Sequence, residues 1–383
     1  MSRRRWIVLL GPPLLIAVAA VPVLSGRIPL RAGATPLLPP RLIAACLPAA
    51  TSAPDGGPVA VPGAWWQTEP SLDAAGSLGG WTLRVGAPGV RDAALALPAA
   101  STVTGPIAGR VVVASEADTG ETGSVVRIVD AIQGCATEID LEGRIARRAV
   151  ADPTGDGVLA HLLEPGSRRD LGVWRVGADG RIAERVLEPL PDALREAAGM
   201  DRVWATDLRL DATGRQLAVQ SCNPDACVTR IADLVTGDLA VLAAEGQGSI
   251  VGFSDQQLVT WAACHGLPCP VLAWSFIDGS NRTLALDATG AALTADGRQV
   301  VVVRAGRGND RELAAIDVRS GAARSLGPGG ADAVPLSGGA GAVAGLEIAG
   351  AGVAIGNAGR VPVLLPLDGS AAVSTSPDRE VLP

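Results

Sequence analysis

Three turn glycines, Gly237, Gly279 and Gly321, stand 42 residues apart, in the contexts Asp233-Leu234-Val235-Thr236-Gly237, Ser275-Phe276-Ile277-Asp278-Gly279 and Asp317-Val318-Arg319-Ser320-Gly321. Two cysteine pairs, Cys222/Cys227 and Cys264/Cys269, repeat at the same 42-residue interval. A fixed period of this length marks a repeated supersecondary unit. Looser matches at Gly89, Gly134, Gly180 and Gly369 extend it, and the one long interval contains an insertion at Leu190–Met200. A second turn recurs as Asp152-Pro153-Thr154-Gly155, Asp211-Ala212-Thr213-Gly214 and Thr294-Ala295-Asp296-Gly297.

Between the turns lie short runs rich in Val, Ile and Leu: Val111–Ala114, Val125–Val129, Gly157–Leu163, Leu171–Val176, Gln216–Gln220, Gln257–Ala262 and Gln299–Arg304. Such runs bounded by Gly, Asp, Asn or Pro predict strands of four to six residues. Only Asp192–Ala198 reads as helix. Four short strands per period of about 42 residues predict an all-β β-propeller, because a four-stranded sheet buries its faces only by stacking on its neighbours. The glycine markers predict six or seven four-stranded blades. Residues near Trp65–Trp81 are expected to close the ring, since an unmated edge strand invites aggregation.

The Asp233…Gly237, Asp317…Gly321 and Asp130…Gly134 turns and the Asp-x-Thr-Gly turns resemble those of WD40-like propellers, in particular the exported TolB-like type. The resemblance covers about residues 80–370 and implies an exported binding propeller. The Gly-His and Trp-Asp dipeptides of intracellular WD40 blades are absent.

Arg3–Arg5 precede an apolar run from Trp6 to Leu24. Charge followed by about 19 apolar residues is the order of a signal peptide or an uncleaved anchor helix. Arg27 stands where a lipidated cysteine would be, which excludes a lipoprotein. The expected organisation is a signal peptide or signal anchor at 1–26, a Pro/Ala-rich linker at 27–62 and the propeller at 63–383. The body is thus extracytoplasmic, either secreted or anchored in the membrane.

Six cysteines in an exported chain read as disulfides: Cys222–Cys227, Cys264–Cys269 and Cys46–Cys135. A four-cysteine zinc site is the alternative for the two close pairs, but their spacing is loose for it. No metal site and no cofactor is expected. A net charge of −7, with all 32 basic residues arginine, excludes a nucleic-acid surface.

No Gly-x-Ser-x-Gly elbow, sialidase box or calcium loop occurs. His161 lies in a strand run, where a core or cross-strand role is expected, and His265 lies in the Cys264–Cys269 loop. Trp174, Trp261 and Trp274 read as inter-blade core. Elimination leaves a non-catalytic, non-enzymatic binding or scaffold module for an envelope protein, peptide or cell-wall polymer. The alternative is a propeller enzyme or cofactor binder acting on carbohydrate-like substrates. The Glu188–Arg202 insertion breaks the period, and insertions in repeat proteins collect on one, often binding, face. It places Arg195, Glu196, Asp201 and the nearby Trp204 as candidate binding residues.

The compartment is testable directly. A C-terminal reporter active only after export gives signal, and one active only in the cytoplasm gives none; the reverse pattern overturns the export reading.

Overall fold

The computed structural model describes most of residues 65–328, together with strands at 8–9, 44–46, 334–335, 344–346, 352–357, 360–366 and 373–374. It is all-β, built from curled antiparallel sheets. Each predicted strand run coincides with an observed strand to within two residues at either end, among them Arg110–Glu116, Val158–Leu163, Gln216–Cys222 and Gln299–Ala305, which extend or trim the predicted runs slightly. The single helix among the described residues is Asp192–Ala197.

Among the described residues the sheets comprise seven four-stranded units, in a propeller-like arrangement. The third unit is Ile145–Ala151, Val158–Leu163, Asp170–Val176 and Ile182–Leu187. The fourth is Ala205–Leu210, Gln216–Cys222, Ala226–Asp233 and Leu239–Glu245. The fifth and sixth form one seven-stranded sheet, because the 13-residue strand Asn281–Leu293 closes one unit and opens the next. The first strands of successive units pack on one another, Ile145–Ala151 on Ala205–Leu210 and the latter on Ser249–Ser254, so they form the inner wall.

Trp65–Leu72 pairs with Ala344–Leu346, so the first unit joins both ends of the body in one sheet, as the closure expectation required. Trp66 is fully buried and donates to the carbonyl of Gly105 in the second unit at 2.8 Å. It is core, packed with Leu83, Val111 and Val113. Trp274 is buried as expected, whereas Trp174 and Trp261 are only partly so.

The repeat has a common turn. Asp130, Asp233 and Asp317 each close a third-to-fourth-strand turn, their backbone carbonyls accepting from Gly134, Gly237 and Gly321 at 2.8 Å. Gly279 makes the same bond to Ser275 at 3.0 Å. All four glycines have positive φ, which side-chain-bearing residues rarely adopt. The Asp-x-Thr-Gly turns cap differently, with Thr213 Oγ1 donating to Asp211 and Thr154 N to Asp152. They lie between the first and second strands of their units.

Cys222 and Cys227 form a disulfide across a hairpin tip. Cys135 and Cys269 are disulfide-bonded too. Cys135 stands opposite Cys46 in strand register, and Cys264 lies outside the described residues. Disulfides are consistent with an oxidising, extracytoplasmic compartment.

The expected N-terminal signal or anchor segment lies mostly outside the described residues. Of residues 1–26 only Val8–Leu9 are described, as a short strand parallel to Leu242–Ala243. The outer strand of the fourth unit offers unpaired backbone groups, which an extended apolar segment satisfies. No helix among the described residues is long and apolar enough to cross a membrane.

Replacing the buried Trp66 by Ala should destabilise the fold by about 3–5 kcal/mol. Denaturant unfolding checks this, and a loss below about 1 kcal/mol would show that the seam between the first two units does not depend on it.

Candidate active site at a polar seam

The contact between the third and fourth units is apolar along most of its length: Val150, Leu159 and Val173 meet Leu208, Leu217 and Val219. Strand alternation then places the next residues of the same faces at the same seam. Two positions on from Val150 and Leu159 these are Arg148 and His161, which are directly opposed. Arg230 is opposed to Val219 on the facing unit.

His161 is 1% exposed, and its Nε2 lies 2.8 Å from Asp170 Oδ1. Asp170 also accepts from the backbone N–H groups of Gly172 at 2.7 Å and Leu190 at 3.0 Å. Gly172 has φ +82°, and a Cβ there would meet the Leu187 carbonyl at 2.2 Å, so only glycine presents that N–H. Burial works against the charge of Asp170. The hydrogen bond from His161, the charge that ring carries when protonated and the two backbone donors outweigh it and hold the carboxyl well below the usual range. An ionised carboxylate only accepts, so Nε2 carries the proton. His161 Nδ1 is buried and has no hydrogen-bond partner.

Arg230 is 1% exposed. Burial pushes its guanidinium down to about 10, with Asp170 and Glu188 partly restoring the charged form. Nη1 donates to the carbonyl of Glu188, while Nε and Nη2 are buried with no hydrogen-bond partner. Ser221 Oγ, on the same unit, is likewise buried and unpartnered. Asp170 keeps 21% of its side chain exposed and marks the open edge of the seam. The site thus offers an oriented imidazole with one free nitrogen and a guanidinium with two uncommitted donors.

The first residues of the insertion, Glu188–Leu190, meet this seam. Glu188 O and Leu190 N bond Arg230 and Asp170, and Leu190 packs on Val228 and Val241. Of the predicted binding residues, Arg195 is paired with Asp192 at 2.7 Å on the exposed helix and Glu196 is exposed beside it. Asp201 and Trp204 lie outside the described residues, as does His265. The cross-strand role expected of His161 is observed. Asp170 and Arg230 were not legible as site residues; the available signal was a lone arginine inside the otherwise uncharged run Ala226–Ala232.

No protein-family model matches the chain. No curated protein matches it either. Solved structures do. An oligogalacturonate lyase in complex with manganese matches at TM-score 0.50 and 13% identity, over 82% of this chain and 85% of that one. A puromycin hydrolase matches at TM-score 0.53 and 16% identity, over 86% of this chain and 55% of that one. TolB from Acinetobacter baumannii matches at TM-score 0.37 and 13% identity, over 81% of this chain and 77% of that one, which is too distant to carry an argument. The chain spans about half the length of the hydrolase it resembles. These likenesses define a class by fold alone, a propeller-like all-β protein, and the WD40-like or TolB-like family reading goes no further than that.

The expectation of a non-catalytic module is corrected: the solved structures that share this fold include an oligogalacturonate lyase, a puromycin hydrolase and prolyl endopeptidases, so the fold does not support it. It rested on the lack of a linear catalytic motif. His161, Asp170 and Arg230 come from three strands of two units, so a seam of this kind leaves no such motif.

The buried pair makes stability pH-dependent. The folded carboxyl of Asp170 is depressed below its ordinary 3.8. Its contribution is therefore fully present above about pH 4 and is lost as pH falls below that. Asp170→Asn should lower stability at pH 7 by about 3–5 kcal/mol and flatten the acid limb. Urea titrations of both proteins between pH 3 and 7 check this, and parallel acid limbs would refute it.

Proposed function

We propose that the chain is an exported enzyme that cleaves a carboxylate-bearing, carbohydrate-like polymer by elimination at the His161–Asp170–Arg230 seam of a closed seven-bladed ring. The observation that carries it is the buried Arg230 with two uncommitted donors beside an imidazole whose only free nitrogen is Nδ1.

The chemistry follows from the residue types. Arg230 Nε and Nη2 receive the substrate carboxylate, for which a planar guanidinium is the natural partner. Neutralising that carboxylate acidifies the hydrogen on the adjacent carbon. His161 Nδ1 takes the proton, the electron pair becomes a carbon–carbon double bond, and the bond to the leaving sugar oxygen breaks. The leaving oxygen is protonated from solvent. Asp170 fixes the tautomer and orientation of His161 and is a positioning residue. Glycoside hydrolysis would need a second carboxyl held protonated. Asp170 is held ionised and fully occupied, which favours elimination.

The lyase among the fold relatives acts on an oligogalacturonate, a substrate of this class, and its structure contains manganese. Among the described residues of this chain no group of three or more His, Cys, Asp or Glu side chains is placed to hold a metal ion. The proposed step runs through the chain's own side chains. An exported enzyme of this kind would meet an acidic cell-wall or envelope polymer.

Incubation with uronate oligosaccharides, and with the same oligosaccharides reduced to neutral sugars, tests this by mass spectrometry. Unsaturated products without added water should form from the acidic set alone. His161→Gln should lower kcat by about 10²–10⁴-fold without unfolding the protein. Products carrying added water, or no cleavage of any uronate, would overturn the proposal.

A further inference from the structure

We infer that a groove at the turns of the fifth and sixth units binds a small zwitterion, an amino acid or short peptide with a free ammonium and a free carboxylate. The inference does not rest on the elimination reading, and it uses none of the residues of the polar seam.

The fourth, fifth and sixth units each fold the turn after their first strand onto the turn after their third by the same backbone bond. Leu234 N donates to Arg215 O at 2.8 Å, Phe276 N to Gln256 O at 3.0 Å and Val318 N to Arg298 O at 2.9 Å. Arg215, Gln256 and Arg298 are therefore equivalent positions. In the fourth and sixth units the run around them is Gly-Arg-Gln, at 214–216 and 297–299, and the facing turn opens on Asp233 or Asp317. The fourth unit closes this corner with an ion pair, Arg215 to Asp233 at 2.7 Å.

The fifth unit departs at three of these positions. It reads Asp255-Gln256-Gln257 against Ser275, so aspartate stands for glycine, glutamine for arginine and serine for the facing aspartate. With neither member of the ion pair present, the corner is a groove of about 480 Å³, lined by Asp255, Gln256, Gln257, Ser275 and Ile277, with Arg319 contributed by the sixth unit. Small-molecule sites are commonly about 300–1,000 Å³. Departures from a repeat that gather on one face often mark a binding face.

The charges name the ligand. Asp255 has φ +47°, where Gly214 has +68° and Gly297 +69°. Left-handed backbone is unfavourable for a residue with a side chain, so the aspartate is held there at a cost its counterparts avoid. Asp255 and Arg319 are both exposed, and among the described residues neither side chain has an ion-pair or hydrogen-bond partner. Arg319 stands two residues before its turn glycine, the place that Val235 and Ile277 fill in the two preceding units. Arg282 Nη1 donates to the Arg319 carbonyl at 2.7 Å and ties that turn to the fifth unit. The groove thus offers one carboxylate, one guanidinium, two side-chain amides and an apolar contact at Ile277, which is 66% exposed. A ligand carboxylate pairs with Arg319 and a ligand ammonium with Asp255. A ligand with charge of one sign only would meet a like charge.

Calorimetry on the full chain with alanine, dialanine, trialanine and tetraalanine, and with their N-acetylated and C-amidated forms, tests this. A free-ended probe should bind, and capping either end should weaken it about tenfold, equivalent to about 1.4 kcal/mol. An extended peptide gains about 3.3–3.6 Å per residue, so the best-binding length reports the separation of the two charges. Strongest binding by alanine supports the pairing with an amino acid as the source, and strongest binding by a longer member supports it with a peptide. Asp255→Asn should remove the penalty for acetylation, and Arg319→Gln the penalty for amidation. Asp255→Gly should raise the thermal midpoint yet abolish the preference for a free amine. Gln256→Arg combined with Ser275→Asp, which rebuilds the fourth unit's ion pair, should fill the groove and abolish binding. No binding by any free-ended probe, or binding that capping and the two charge variants leave unchanged, overturns the inference. His161→Gln should bind these probes as the wild type does; loss of binding in that variant would place them at the polar seam and overturn this site.

Discussion

A four-stranded sheet has two faces, and neither can be buried by the sheet itself. Every other property of this chain depends on that constraint. Successive units must stack, so the chain repeats a strand pattern at a fixed interval and spends its hydrophobic residues on seams such as the Val112–Val126–Ala160 and Val259–Val271–Val302 clusters. The first unit, completed by Ala344–Leu346, follows from the same requirement.

A seam that is apolar for most of its length makes its polar stretch informative. Between the third and fourth units, burial removes water from His161, Asp170 and Arg230, and only a partly matched set of hydrogen bonds replaces it. Low dielectric strengthens each charge there, and the backbone donors of Gly172 and Leu190 hold Asp170 in its ionised form. The backbone at Glu188 and Leu190 is part of that arrangement, because it supplies one acceptor and one donor to the pair.

Much of the fold was legible because turn chemistry is local. Asp233 and Gly237 sit four residues apart and make their bond without reference to the rest of the chain. The strand runs and the Cys222–Cys227 bridge are local in the same sense. The polar seam was not legible, since it depends on register. Arg148 meets His161 only through strand pairing, and Arg230 reaches Asp170 only once two sheets are stacked.

The strand Asn281–Leu293 has a consequence for mechanics. With Cys269, Val271 and Trp274 on one side of it and Val300, Val302 and Arg304 on the other, it belongs to two sheets at once, with no loop between them. The fifth and sixth units are therefore a single stiff plate, and neither can tilt without bending a continuous ladder. Any breathing of the ring is displaced onto joints made of separate strands linked by loops. The joint that carries the histidine and the arginines is one of these, so the rigid side of the ring acts as the anvil against which its chemically equipped side can flex.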